Sequence, residues 1–429
     1  MKRTVAFLIC IIVLLSACHG NIPEDPTGES SSLSSSESAS SESSSESSSE
    51  SSSESSSESS SESSSESSSS ESSQTSDAPP VSSSQVPSSG DEIGPVFDVD
   101  SLVNSLTLEE KVGQLFLVRC PATNALEDIQ TYHLGGYVLF APDFEHNTPQ
   151  TMKDLIASYQ SRSAIPLLIA VDEEGGTVNR VSKFSQYRET PFPSPRELYA
   201  RGGLTLIAQT EEEKCQLLKS LGINLNLAPV CDITTDESSF MYKRSLGQNP
   251  LQTGRFVSMV LSVMAQHSMG GMLKHFPGYG NNTDTHIGIA LDNRPLETLE
   301  SEDLVPFAAG IRSGCDAIMV SHTFVNALDP EYPASLSKKV HDYLRNEMGF
   351  DGIIATDDLF MKAITDEYGV AESAVLAVQC GNDLLCCTEY KIQYPAVLEA
   401  VRSGKISEER LNESVARILQ WKFDLGLIG

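Results

Sequence analysis

Leu167-Leu168-Ile169-Ala170-Val171-Asp172-Glu173-Glu174-Gly175-Gly176 is a run of five apolar residues driven straight into three carboxylates and two glycines. An apolar run so short and so uniform suits a strand buried on both faces, and the abrupt change places the acids just past its C-terminal end. The layout recurs along the chain. It predicts strands over Gly113 to Cys120, Gly136 to Phe140, Leu167 to Val171, Asn224 to Leu227, Gly271 to Lys274, Ala317 to Ser321, Gly352 to Thr356 and Asp383 to Cys387. Amphipathic segments lie between them: Thr148 to Arg162, Thr210 to Leu221, Gln252 to His267, Ser301 to Arg312, Ser337 to Glu347, Val370 to Gln379 and Tyr394 to Arg402. A last helix, Ser407 to Leu425, carries Leu411, Val415, Ile418, Leu419 and Phe423 at helical spacing. Eight strand–helix units point to an α/β fold, a (β/α)8 TIM barrel.

In such a barrel the chemistry sits on the loops that follow the strands. The polar clusters fall there: Asp172 to Gly176 after the third strand, Asp232 after the fourth, Lys274-His275 ending the fifth, Ser321-His322 after the sixth and Asp357-Asp358 after the seventh.

The barrel segment begins near residue 96, and what precedes it has a different composition. Lys2 and Arg3 lead an apolar run from Val5 to Leu15 and then Ser16-Ala17-Cys18. The run is too short to span a bilayer and has the layout of a secretory signal over residues 1–17. Its Leu-Ser-Ala-Cys ending resembles a bacterial lipobox, which implies lipid on Cys18 and attachment to a membrane surface outside the cytoplasm. Residues 18–95 are Ser-rich, with Glu at every fourth position from Glu42 to Glu66. So little apolar surface cannot offset the entropy of folding, so a disordered tether is expected. The formal net charge of −30 argues against nucleic acid as a partner. The cysteines make neither a disulfide framework nor a zinc spacing; Cys120, Cys231, Cys315, Cys386 and Cys387 sit in or beside apolar runs and read as small buried hydrophobes.

Two segments carry the chemistry. Lys274-His275-Phe276-Pro277-Gly278-Tyr279-Gly280 is followed by Asp284-Thr285-His286, an imidazole with a carboxylate two positions before it. An Asp beside a histidine can fix its tautomer and stabilise its charged form, which suits a proton shuttle. Asp357 closes the apolar run 352–356, so a strand would aim it into the rim; Asp358 is the better candidate to cap a following helix. Gly278 and Gly280 would allow the Asp284–His286 loop to swing.

Together these segments resemble the bacterial β-N-acetylglucosaminidases of glycoside hydrolase family 3, from about Leu102 to Gly426. The resemblance implies a retaining hydrolase of terminal β-linked N-acetylglucosamine. It implies Asp357 as nucleophile, His286 as general acid/base with Asp284 as its partner, and Asp172, Arg180, Arg244, Lys274 and His275 as sugar-binding residues. No metal or organic cofactor is implied, and the partner is a glycan such as a peptidoglycan or chitin fragment. The chain departs from the family pattern at Tyr279 and Asn281, where His and Asp are usual, and at Thr177, where Arg is common. A β-glucosidase of the same superfamily, a glycoside phosphorylase and a glycan-binding lipoprotein without activity are the competing readings. The first generally takes its acid/base from a second domain, and the last has no need of the dyad.

Overall fold

The computed structural model describes residues 97–280, 282, 284, 285 and 288–429. The signal-like segment, Cys18, the Ser/Glu tract, Asn281 and His286 lie outside the described residues. The eight expected strands are all present: β1 Phe116–Arg119, β2 Gly136–Leu139, β3 Leu168–Val171, β4 Leu225–Asn226, β5 Gly270–Phe276, β6 Ala317–Val320, β7 Ile353–Thr356 and β8 Leu385–Cys387. They form one sheet in the order β8-β1-β2-β3-β4-β5-β6-β7. Every adjacent pair is parallel, with Phe116 opposite Leu385, Val138 opposite Ala170 and Ala317 opposite Ile353. Across the remaining gap Ala355 bridges Leu384, and the Thr356 amide donates to the Leu384 carbonyl at 3.0 Å. A parallel sheet whose two ends meet, with a helix after each strand, is the (β/α)8 barrel.

The boundaries differ where local signals outweigh hydrophobicity. Gly113 belongs to a helix, Leu108–Gln114, because Thr107 and Glu110 form a reciprocal capping box at its start. The Pro195–Leu221 helix starts well before the expected Thr210 because Ser194 and Glu197 make another capping box with Pro195 at the first helical position. It is kinked at Gly202 and Gly203. The expected Ser337–Glu347 helix divides into an α-helical turn, Lys338–Asp342, and a π-helical turn, Tyr343–Glu347. Short helices at Val99–Ser105, Ala125–Tyr132, Ala141–Glu145, Leu296–Ser301 and Lys362–Tyr368 have too few apolar repeats to stand out by periodicity.

The strands are buried along nearly their whole length, β5 without exception. Phe276 on β5 meets Phe307 of the Leu304–Arg312 helix edge to face, with centroids 5.2 Å apart. Replacing a buried ring of this kind by Ala costs about 3–5 kcal/mol. At the start of β8 the fully buried Asp383 meets Arg345, Arg410 and Arg417 at 2.5, 3.0 and 3.2 Å. That charge cluster joins three elements at the N-terminal end of the strands, away from the polar clusters at the other end. The seven cysteines among the described residues are buried and free, including Cys120, Cys231, Cys315, Cys386 and Cys387, whose apolar surroundings led us to expect it.

Candidate active site

A cavity of about 710 Å³ opens at the C-terminal ends of the strands. It is lined by Arg119 at the end of β1, Phe140 beyond β2, Asp172, Glu174 and Arg180 beyond β3, Arg244 beyond β4, Lys274 and His275 on β5, and Asp357 beyond β7. The barrel therefore brings together Asp172, Arg180, Arg244, Lys274, His275 and Asp357, residues spread over nearly two hundred positions of sequence.

The three consecutive acids after β3 have separate tasks. Asp172 is half-buried and holds the Lys274 ammonium at 2.6 Å. Glu173 points away and is fully buried; its carboxylate accepts from the amides of Arg180, Val181 and Ser182 at 2.8, 2.8 and 3.1 Å. That fixes the loop on which Arg180 rides. Glu174 receives Arg244 through two N–H groups, Nη2 to Oε1 at 2.7 Å and Nε to Oε2 at 3.0 Å, and Lys274 Nζ at 2.7 Å. Burial works against ionisation of Glu174, but Arg244 and Lys274 outweigh it and hold the carboxyl well below its ordinary range. Burial likewise opposes the charge of Lys274, and Asp172 with Glu174 overcomes it, so its pKa is raised. The ammonium is thus kept charged although it is buried. The turn after Glu174 requires glycine: Gly175 and Gly176 have φ of +105° and +66°, and a Cβ on Gly175 would lie 2.4 Å from the Pro193 carbonyl oxygen.

His275 is held from both sides. Its Nδ1 lies 2.8 Å from Asp232 Oδ2 and its Nε2 lies 3.1 Å from Arg244 Nη2. A guanidinium can only donate, so Nε2 accepts and Nδ1 carries the proton toward Asp232. Asp232 also accepts from the His275 and Tyr279 amides at 3.1 and 2.8 Å. Burial raises the pKa of Asp232, and His275 and these hydrogen bonds more than reverse the effect. The sequence placed Asp232 and Glu174 in the rim clusters but gave neither a role of its own. Both are acids just beyond predicted strands, and a fully buried acid needs cationic or N–H partners; only the fold shows which acids are buried.

Asp357 follows β7, half-buried on the cavity wall, with its amide bonded to the Val320 carbonyl at 3.0 Å. Its Oδ1 accepts from the Asp358 amide at 2.8 Å. Asp358 is not the helix cap expected; the following helix, Lys362–Tyr368, is preceded by Met361. Instead Asp358 accepts from the Phe360 amide at 2.9 Å and the Thr388 hydroxyl at 2.6 Å, an Asx turn braced against β8. Burial raises its pKa. His322 Nε2 donates to the Asp358 carbonyl at 3.0 Å, with Nδ1 2.7 Å from the Ser335 hydroxyl.

Asp284 is half-buried on the loop that leaves β5, while its expected partner His286 lies outside the described residues. Tyr279, at a variant family position, is fully buried edge to face with His275 and Phe240, and its hydroxyl lies 2.7 Å from Thr285 Oγ1. Gly278 and Gly280 have φ of +118° and +55°. A Cβ would lie 2.5 Å from Asp303 Oδ1 at the first and 2.6 Å from Arg294 Nη2 at the second. These glycines admit close packing against the Arg294–Asp303 pair.

Residues 107–421 match the family model described as the glycosyl hydrolase family 3 N-terminal domain. A β-hexosaminidase, LpqI, of Mycobacterium tuberculosis is 31% identical over 332 residues, covering 74% of this chain and 83% of that protein. A β-hexosaminidase of Nitrosomonas eutropha is 34% identical over 261 residues, covering 60% of this chain and 74% of that protein. Among solved structures, a family 3 β-N-acetylglucosaminidase from Paenibacillus superposes with a TM-score of 0.71 at 34% identity, covering 76% of this chain and 64% of that one. The structure of M. tuberculosis LpqI superposes with a TM-score of 0.69 at 29% identity, covering 76% of this chain and 96% of that one. The barrel, the match over most of its length and the identity to these relatives agree: the chain belongs to glycosyl hydrolase family 3 and is a glycoside hydrolase.

Proposed function

We propose that this enzyme is a retaining β-N-acetylhexosaminidase that removes terminal β-linked N-acetylglucosamine from glycans such as peptidoglycan or chitin fragments. The observation that carries the reading is the convergence of a half-buried carboxylate, Asp357, with the charged set Asp172, Arg180, Arg244, Lys274 and His275 on one cavity. The relatives named above as β-hexosaminidases and as a β-N-acetylglucosaminidase support the substrate class.

In this reading the Asp357 carboxylate attacks the anomeric carbon as the bond to the leaving oxygen breaks, and the protonated His286 passes its proton to that oxygen. Neutral His286 then takes a proton from water as the water attacks the anomeric carbon and frees Asp357. Asp284 orients the imidazole and stabilises its charged form. A histidine suits this role because its reference pKa near 6.5 lies close to working pH. Lys274 and Asp172 supply a donor and an acceptor for sugar hydroxyls, while Glu174, Arg244, His275 and Asp232 hold that pair rigid.

The same proposal places the enzyme outside the cytoplasm, held to a membrane by lipid on Cys18 and spaced from it by the Ser/Glu tract. Replacing Cys18 by Ala is then expected to move the protein out of the membrane fraction.

Hydrolysis is tested by anomer-resolved NMR with para-nitrophenyl β-N-acetylglucosaminide and the matching β-glucoside, with and without phosphate. The β-anomer of N-acetylglucosamine is expected first in both. A sugar 1-phosphate formed only with phosphate would make the enzyme a phosphorylase, and turnover confined to the glucoside would make it a β-glucosidase. No turnover of either glycoside would favour a glycan-binding protein. His286→Ala should slow glycosides with poor leaving groups far more than aryl glycosides, since only the former need the proton. Equal losses on both would remove His286 from that role.

A further inference from the structure

Ser321-His322 follows β6 on the same rim as the cavity residues, yet the reaction described gives His322 no part. Its imidazole is fully buried and is not among the groups that line the cavity, so it acts only through what it holds. Its Nε2 lies 3.0 Å from the Asp358 carbonyl oxygen. A carbonyl can only accept, so Nε2 carries a proton whether the ring is neutral or charged, the reverse of the arrangement at His275. Nδ1 lies 2.7 Å from the hydroxyl of Ser335, which is buried in the turn Ala334–Leu336. That turn is tied to the end of β6: the Ser335 amide donates to the Ser321 carbonyl at 3.0 Å, and the Ala334 amide to the Thr323 carbonyl at 2.8 Å. The Ser335 carbonyl in turn accepts from Asn382 Nδ2 at 2.8 Å. With both nitrogens engaged and the support behind it fixed, the ring has little freedom to turn.

What it holds is the residue beside the candidate nucleophile. The Asp358 amide donates to Asp357 Oδ1 at 2.8 Å, and the Asp358 carboxylate accepts from the Thr388 hydroxyl at 2.6 Å. Residue 358 is therefore fixed at its carbonyl from β6 and at its carboxylate from β8, and the direction of its amide follows from that pose. We propose that His322, backed by Ser335, is a positioning residue for the nucleophile: it pins the Asp358 carbonyl so that the Asp358 amide keeps the Asp357 carboxylate aimed at the anomeric carbon. The inference rests on Asp357 as nucleophile. A shift of about 1 Å in a reacting group can cost ~10²-fold in rate, so a buried clamp two groups away from the substrate is felt in turnover.

The test uses a fluorinated N-acetylglucosaminyl fluoride that traps the glycosyl-enzyme, applied to the wild type, His322→Leu and His322→Gln, the last of which keeps an N–H where Nε2 stands. Peptide mass spectrometry should find the wild-type label on Asp357. A label elsewhere, or none, removes the reading on which the inference rests, and the inference with it. His322→Leu should label Asp357 at least ~10-fold more slowly and lose kcat in proportion, while the Ki of N-acetylglucosamine stays within about 2-fold because the sugar-binding residues are untouched. His322→Gln should recover much of the labelling rate. Labelling of Asp357 at the wild-type rate in folded His322→Leu overturns the proposal. So does a Ki that weakens in step with the rate, the mark of a site loosened as a whole. Should His322→Leu fail to fold, Ser335→Ala, which removes only the support of the ring, decides: slowed labelling with an unchanged Ki upholds the role, and wild-type labelling overturns it.

Discussion

At the scale of single residues, Asp357 and Glu174 are carboxylates with opposite surroundings. Asp357 is half-buried at the cavity wall and contributes little to packing, whereas Glu174 is buried with two cations pressed against it. Asp357→Asn is expected to cut turnover by at least ~10³-fold and to leave thermal melting unchanged, because the amide keeps the shape and loses the nucleophile. Activity close to wild type in a folded Asp357→Asn protein would remove it from the mechanism. Glu174→Gln should instead cost about 3–5 kcal/mol of stability, since it leaves Arg244 and Lys274 short of a buried counter-charge. Its folded pKa lies below the ordinary 4.5, so its contribution is present above that pH and is lost on acidification. Urea melts of the wild type and Glu174→Gln should draw closer as the pH falls from 7 to 3, since part of the contribution is lost below 4.5; parallel curves would contradict the pairing.

At the scale of elements, the closing helix Glu408–Asp424 carries the most unusual lysine of the barrel. Lys422 is fully buried, and its ammonium nitrogen lies 2.7 Å from Gln114 Oε1. Burial alone lowers its pKa from 10.5 to about 7. The folded state therefore releases a proton that the unfolded chain keeps between those values, and stability rises with pH from about 7 toward 10.5. Lys422→Met, of similar volume, should flatten that rise, because it removes the titrating amine, at the cost of leaving Gln114 Oε1 without its donor. A Tm-against-pH slope in the variant equal to that of the wild type would show that the lysine is not the source. On the loop after β5, the Tyr279 hydroxyl against Thr285 ties the segment containing Asp284 to the end of the barrel strand. A variant family residue has thus become part of the packing under the acid loop.

At the scale of the whole molecule, the described barrel carries the catalytic candidates other than His286, and the Ser/Glu tract has little apolar surface with which to pack. Deleting residues 20–90 should leave kcat/KM on a soluble aryl glycoside within about 2-fold and Tm within about 2 °C. If Cys18 carries lipid as proposed, action on insoluble wall material should drop, since reach would decide what the enzyme touches. A large loss of soluble activity in the deletion protein would show that the tract is part of the folded enzyme.

The amino-acid sequence by itself determined the eight strands, their parallel order and the rim on which the polar clusters stand, because short apolar runs ending in acids leave few other ways to bury them. It also placed Asp172 and Asp357 just past strands and Lys274 near the end of one, and the roles expected of them came from the family resemblance. The division of work among Asp172, Glu173 and Glu174 was not legible, because three adjacent acids look alike until the fold sets their burial and partners. The same holds for Asp232 under His275, 43 residues away, and for His322 against Asp358. Such contacts join distant segments, so only tertiary structure decides which charge meets which, and burial then decides how much each pairing is worth.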